Sequence, residues 1–126
     1  MIYLDLEANG LTPDTIWCVV TRENGETEVH LDQRSLRKAL EGSVSVCGHN
    51  LIGYDLPVLK RLWGVSVAPE RIVDTLVLSR LFDPSRQGGH SLRSWGETLG
   101  FPKGDHNDWS RSVSYTHLTL PTKRIV

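Results

Sequence analysis

Hydrophobic and polar residues alternate at the start of the chain. From Ile2 to Glu7 each aliphatic residue is followed by Tyr3, Asp5 or Glu7, and this period of two predicts a β-strand with one apolar face. Apolar, β-branched runs at residues 15–21 and 27–31 lie on either side of an Asn-Gly pair, a strong hairpin signal. The first third of the chain therefore predicts three antiparallel strands joined by short turns.

Helical spacing of the apolar residues replaces this alternation after residue 32. Asp74 is placed as the N-cap of one helix, and Gly42, Gly64 and Gly100 each follow the last apolar position of another. The predicted helices cover residues 33–40, 56–63, 74–82 and 90–99, and a short strand covers residues 44–47. This order predicts an α/β protein, with a mixed sheet of an antiparallel meander plus a central parallel strand, flanked by helices.

The composition is that of a globular protein and narrows the function only slightly. The 126 residues suffice for one domain or part of one, and 14 basic against 15 acidic residues give a net charge of −1. This charge argues against a protein that coats nucleic acid non-specifically, but not against an enzyme with a small cleft. No long apolar stretch or cleavable signal predicts a membrane association. Cys18 and Cys47 lack metal-type spacing and are predicted to be reduced core residues of a cytosolic protein.

Three carboxylates are candidates for a metal site. Asp5 and Glu7 lie on the same side of the first strand, and Asp55 follows the loop that leaves the strand at residues 44–47. Burying adjacent carboxylates without a cation is costly, and oxygen ligands suit Mg²⁺ or Mn²⁺. From these residues alone, Asp5 and Glu7 are equally compatible with an edge strand exposed to solvent, and Asp55 with a helix N-cap.

Three sequence blocks in order resemble those of the DnaQ-like 3′–5′ exonucleases, which have an RNase H-like fold. The closest likeness is to the proofreading domain of phage family A DNA polymerases, and it runs from about Ile2 to Trp109. The blocks that carry the resemblance are Leu4-Asp5-Leu6-Glu7-Ala8-Asn9-Gly10-Leu11, His49-Asn50 with Tyr54-Asp55, and Asp74-Thr75-Leu76-Val77-Leu78-Ser79-Arg80-Leu81, followed by His90-Ser91-Leu92 and Trp95-Gly96.

The resemblance implies removal of mispaired nucleotides from the single-stranded 3′ end of DNA by a site with two Mg²⁺ or Mn²⁺ ions. Asp5, Glu7 and Asp55 match the catalytic, metal-binding carboxylates, and Glu7 would also help to position the attacking water. The positions that match substrate contacts are Asn50, Tyr54 and Leu11. It further implies a polymerase domain in the full-length parent and, for a virus, the cytoplasm of the host cell.

The third motif of the family is incomplete in this chain. That motif is a Tyr or His followed by an Asp, whereas Tyr115 is followed at the matching distance by Thr119, and no acid lies beyond Asp108. We therefore expect an exonuclease domain at residues 1–112 that is incomplete at its C-terminal end, with impaired activity. Residues 113–126 are expected to be a tail foreign to the domain, because they resemble translated library-adapter sequence.

Two other functions and several structural roles remain open. The chain could be a DnaQ-like exonuclease acting on RNA, or a non-catalytic nucleic-acid-binding remnant in which Asp5 and Glu7 are surface acids. Asn50 can equally be a turn residue and Tyr54 a core aromatic. We expect Asp74 to be structural and His90 to be a helix-entry residue. Trp17, Trp63 and Trp95 are predicted to lie in the core. We expect solvent exposure rather than phosphate contacts for Arg80, Arg86 and Arg93.

Overall fold

The computed structural model describes residues 1–101, which form strands and helices in the order expected of an α/β protein. The chain divides into two compact units, residues 1–78 and 79–126, which are described separately below. The predicted boundary at residue 112 lies outside the described residues. The elements are β1 (Ile2–Ala8), β2 (Ile16–Glu23), β3 (Glu26–His30), α1 (Gln33–Glu41), β4 (Val46–Gly48), a π-helical turn (Leu51–Asp55), α2 (Leu56–Trp63), a 3₁₀ turn (Pro69–Arg71), β5 (Ile72–Asp74), α3 (Thr75–Phe82) and α4 (Leu92–Leu99).

The first unit contains a five-stranded mixed sheet in the order β3-β2-β1-β4-β5. The strands of the β1–β2–β3 meander are antiparallel, whereas β1 pairs in parallel with β4, and β4 with β5. The predicted α/β class and mixed sheet are confirmed, and the topology is consistent with an RNase H-like fold. β1 lies in the middle of the sheet, so the alternative that it is an edge strand is wrong.

The hairpin between β2 and β3 forms as its Asn-Gly pair predicts. Glu23 pairs with Glu26, which leaves a two-residue turn. Asn24 has φ 52° and Gly25 has φ 81°, the pair of positive angles that a type I′ turn requires. The turn matches the twist of the two strands and fixes their register.

The core of the first unit lies against one face of β1. Ile2, Leu4 and Leu6 are all buried, as the alternation predicts. α1 covers this core with Leu36 and Leu40, its two buried residues. α2 adds Val58 and Leu59. Cys18 and Cys47 are both buried, which confirms their predicted core positions.

Three features of the sheet differ from the prediction. β4 begins at Val46, and Val44, predicted to be in the strand, is 85% exposed. β5 was not predicted, because its three residues are too few to show a period. Trp17 is 42% exposed instead of buried. It is the extra residue of a bulge, since Ala8 pairs with Ile16 and Glu7 with Cys18, and a bulge residue lacks a cross-strand partner.

The second unit is described from residue 79 to residue 101. Ser91 caps the start of α4 by accepting a hydrogen bond from the Ser94 N–H, and Gly100 ends it. The half-buried Trp95 donates its indole N–H to Ser79 Oγ, which also bonds His90 Nδ1 at 2.6 Å. His90 therefore has the predicted structural role at the helix entry.

Arg86 stabilises the loop before α4. Its guanidinium lies 3.9 Å from the centre of the Trp95 ring and donates to Ser94 Oγ and Thr98 Oγ1. Arg86 is therefore half-buried and held by these contacts, whereas Arg80 and Arg93 are exposed as predicted. No helix within residues 1–101 is long and apolar enough to cross a membrane.

Candidate functional site

The parallel pairing of β1 and β4 brings the candidate residues to the same end of the sheet. Ile2 pairs with Val46 and Tyr3 with Cys47, so both strands end on the same side. Asp5 and Glu7 lie further along β1, and the chain leaving β4 enters the π-helical turn that ends at Asp55. Ligands of open α/β sheets bind at this end, outside the carboxyl ends of the strands.

Asp5 and Glu7 project from the face of β1 opposite to its buried aliphatic residues. Asp5 is exposed and pairs across the sheet with Val20, and Glu7 is half-buried and pairs with Cys18. Burial raises the pKa of the Cys18 thiol to about 11, and the negative charges of Glu7 and Asp5 add to the rise. This part of the sheet therefore carries a concentrated negative charge.

Asp55 is the buried acid of the site, with 6% of its surface exposed. It makes no helix-capping hydrogen bond, so the N-cap interpretation is wrong. The backbone N–H of Leu6, the residue between Asp5 and Glu7, instead faces this carboxylate and lowers its pKa. Burial first, and then the negative charge of Asp5, raise the pKa of Asp55 to about 7. A cation beside these carboxylates would remove that penalty.

The segment that carries Asp55 was predicted to be a loop but is helical. Residues 51–55 form one π-helical turn that continues directly into α2. π-Helical turns are frequent at functional sites, and no periodicity marks one in the sequence. The turn begins at Asn50, whose φ of 61° is left-handed, in agreement with its interpretation as a turn residue. The side-chain oxygen of Asn50 occupies the space that a Cβ on Gly53 would need, so any other residue at position 53 would require the Asn50 side chain to move.

Tyr54 connects this turn to the loop after β1. Its hydroxyl donates to the Gly10 carbonyl at 2.5 Å, while its half-buried ring packs against the core. Burial raises the pKa of Tyr54, and the charges of Asp55 and Glu7 add to the rise. Next to Gly10, the side chain of Leu11 is 91% exposed. Tyr54 thus has a core role and holds the loop that carries Leu11.

Asp74 has more partners than helix capping requires. It caps α3 by accepting from the Leu76 N–H, as predicted, but it also accepts from the N–H groups of Asn50 and Ile52, each at 2.9 Å. The neighbouring Thr75 hydroxyl contacts His49 Nδ1 at 2.9 Å and donates to the Gly48 carbonyl. These hydrogen bonds join two of the motif blocks, and no pattern in the sequence predicts that contact.

The donor set fits a hard divalent cation, although it is not a closed cage. Among residues 1–101, no three His, Cys, Asp or Glu side chains are arranged to hold a metal ion. Asp5 and Asp55 are nevertheless close enough for the charge of one to raise the pKa of the other. Mg²⁺ commonly takes only one or two protein carboxylates and completes its shell with water and substrate phosphates. The oxygen-only pair fits Mg²⁺ or Mn²⁺ in that manner.

The positions that match the third motif by spacing, Tyr115 and Thr119, lie outside the described residues, as does the predicted tail at residues 113–126. The described candidates are the acids Asp5, Glu7 and Asp55, with Asn50 and Tyr54 on the segment after β4 and Leu11 on the loop after β1.

Comparison with known proteins agrees with a relation to DNA replication enzymes. No protein-family profile matches the chain. It is 30% identical, over an alignment 141 residues long, to the DNA-directed DNA polymerases of Enterobacteria phage T3 and of Escherichia phage T7. Each alignment covers 86% of this chain but 20% of the polymerase, so the chain spans about a fifth of the length of these relatives. The chain is thus distantly homologous to a segment of phage DNA polymerases.

Proposed function

We propose that this chain contributes a metal-dependent 3′–5′ exonuclease site, of the proofreading type, to a phage DNA polymerase. The observation that carries the proposal is the position of Asp55, which is buried and close enough to Asp5 for the charge of Asp5 to raise its pKa. The homology to phage DNA polymerases supports DNA as the substrate class. A polymerase domain in the longer parent is part of the same proposal.

The chain's own residues divide into ligands and substrate contacts. Asp5, Glu7 and Asp55 would hold Mg²⁺ or Mn²⁺, which supplies polarisation of the phosphodiester and a lowered pKa for bound water. Asp55 is buried at the end of the π-helical turn, which limits the positions that its carboxylate can take. Leu11 is exposed for contact with the terminal base. Asn50 and Tyr54 shape the adjacent pocket.

The same proposal includes a low rate for this chain alone. No Asp or Glu follows Asp108 in the sequence, so the carboxylate of the third motif is missing. Two-metal hydrolysis needs both ions to be held around the scissile phosphate. We therefore expect binding of DNA ends with little or no cleavage.

The proposal is tested with labelled oligonucleotides, Mn²⁺ and the purified chain. Fluorescence anisotropy should detect Mn²⁺-dependent binding of single-stranded DNA, and gel analysis should detect at most slow release of mononucleotides from the 3′ end. Asp55→Asn should lose the Mn²⁺-dependent part of binding, while Glu41→Gln, an exposed acid on α1, should retain it. Rapid metal-dependent release of mononucleotides would contradict the low rate of cleavage. DNA binding that does not depend on Mn²⁺ would contradict the exonuclease site. Stronger binding of RNA than of DNA would favour an exonuclease that acts on RNA.

A non-catalytic nucleic-acid-binding remnant is the second candidate. The observation in its favour is that no three potential ligands converge among residues 1–101. It predicts that Asp5→Ala and Glu7→Ala leave Mn²⁺ binding unchanged, whereas the exonuclease site predicts that each variant weakens it.

A further inference from the structure

Asp74 is a buried carboxylate whose hydrogen bonds reach well beyond its own helix. It ends β5, is 5% exposed, and accepts three backbone hydrogen bonds of 2.9 Å. Capping of α3 uses only the bond from Leu76. The other two donors, Asn50 and Ile52, lie 24 and 22 residues earlier in the chain. Helix capping alone therefore does not account for this side chain.

The two distant donors are located at the start of the segment that carries Asp55. The first N–H groups of a helical segment have no partner within it, and a carboxylate placed there satisfies them and interacts favourably with the helix dipole. Asp74 does this for the π-helical turn at Leu51–Asp55. Its Oδ1 accepts from Asn50 and its Oδ2 from Ile52, so both oxygens are used. One carboxylate thus fixes both the position and the direction of the first turn.

The turn has little freedom to adopt another arrangement. The Asn50 side chain fills the space over Gly53, and Leu51 is completely buried in the core. Thr75 adds a second connection between the start of α3 and the end of β4, through the Gly48 carbonyl and His49. Asp55 lies three residues after Ile52 in the same helical segment, so a displacement at Ile52 would be transmitted to the Asp55 carboxylate.

We propose that Asp74 is a positioning residue that orients the π-helical turn so that Asp55 reaches the Leu6 N–H between Asp5 and Glu7. This inference rests on the proposed function for the identity of the bound ion, but the orientation of Asp55 does not depend on any ion. Asp74 acts through Asp55 and is not itself a ligand. The Asp74-Thr75-Leu76 block thereby contributes to the site in addition to starting α3.

The test compares Asp74 with a second N-cap aspartate that has no connection to the site. Asp32 caps α1 by accepting from the Ser35 N–H at 2.9 Å. Asp74→Asn keeps an acceptor for Asn50 and Leu76 but places an amide donor opposite the Ile52 N–H. Asp74→Ser is used if the first variant does not fold. Its shorter side chain keeps only an ordinary N-cap hydrogen bond. Asp32→Ala removes a cap alone.

Amide exchange of Leu6 in the metal-free chain is the primary measurement. We expect the Leu6 amide to exchange at least about tenfold faster in either Asp74 variant and in Asp55→Asn, but not in Asp32→Ala. An unchanged Leu6 amide in the Asp74 variants, with a changed one in Asp55→Asn, would overturn the positioning role and leave Asp74 as a cap.

Mn²⁺ affinity gives the second measurement. Supporting residues of metal sites typically contribute about 10–100-fold in affinity, so we expect a loss of that size in Asp74→Asn and less than about twofold in Asp32→Ala at a temperature where both are folded. Equal affinity of Asp74→Asn and wild type would also overturn the positioning role. Failure of the wild type to bind Mn²⁺ would contradict the proposed function instead, and the Leu6 exchange would then decide the role of Asp74.

Discussion

Asp55 and His30 are buried ionisable residues whose protonation changes stability in opposite directions. The pKa of Asp55 is raised from 3.8 to about 7, so the folded chain holds this proton more tightly than the unfolded chain does. Its contribution to stability is fully present below about pH 4 and is lost as the pH rises through about 7. A bound cation would reverse this loss, which gives the site a physical reason to hold one at neutral pH.

His30 is completely buried beneath α1 and hydrogen-bonded to Thr21 and Ser35 at 2.7 and 2.6 Å. Burial lowers its pKa below the ordinary value of 6.5, against the opposing charges of Glu28 and Asp32. The unfolded chain therefore binds the proton more readily, and stability is lost as the pH falls below about 6.5.

We predict that His30→Gln makes the change in thermal stability from about pH 7.5 to pH 5.5 more favourable than in the wild type, because the loss due to His30 is removed. The midpoint of thermal unfolding, followed by circular dichroism, measures the effect. Asp55 gains stability over the same interval, so Asp55→Asn is the matched control and should increase the loss. An identical pH dependence of wild type and His30→Gln would show that His30 is not the group responsible.

At the scale of elements, the β2–β3 hairpin depends on two left-handed backbone angles, one of them at Gly25. Gly25 has φ +81°, and a Cβ added there would meet no heavy atom within 4 Å. We predict that Gly25→Ala lowers the free energy of unfolding by about 1–2 kcal/mol, purely through the left-handed backbone. Urea denaturation measures this cost.

Gly42 at the end of α1 supplies the control for Gly25. It is equally open but has φ −86°, which any residue adopts. Gly42→Ala should be neutral or stabilising by up to about 1 kcal/mol. Equal costs for both variants would contradict the assignment of the turn.

Elements with a clear local pattern were predictable, and those made by tertiary contacts were not. The alternation in β1, the Asn-Gly hairpin and the glycine after α2 each express a local backbone preference. β5 has only three residues, and the π-helical turn is held by Asp74, which is distant in sequence. The sequence around Asp55 is equally compatible with a helix cap, and only the fold shows that Asp55 makes no capping hydrogen bond and lies near Asp5.

For the whole molecule, the central position of β1 decides how the candidate acids are used. Because β1 is paired with a strand on each side, Asp5 and Glu7 lie on the polar face of the sheet and not on an edge strand. The parallel β4 then delivers Asp55 to the same end of the sheet. The chain is distantly homologous to a segment of phage DNA polymerases, and this homology supports DNA as the proposed substrate class.

Mn²⁺ affinity of matched variants tests the central claim most directly. Isothermal titration near pH 8, where Asp55 is ionised, should show Mn²⁺ binding by the wild type and by Glu41→Gln. Asp5→Asn and Asp55→Asn should each bind at least about tenfold more weakly, because each removes an oxygen ligand of a site that has few. Equal Mn²⁺ affinity in the wild type and both variants would contradict a metal site at Asp5 and Asp55.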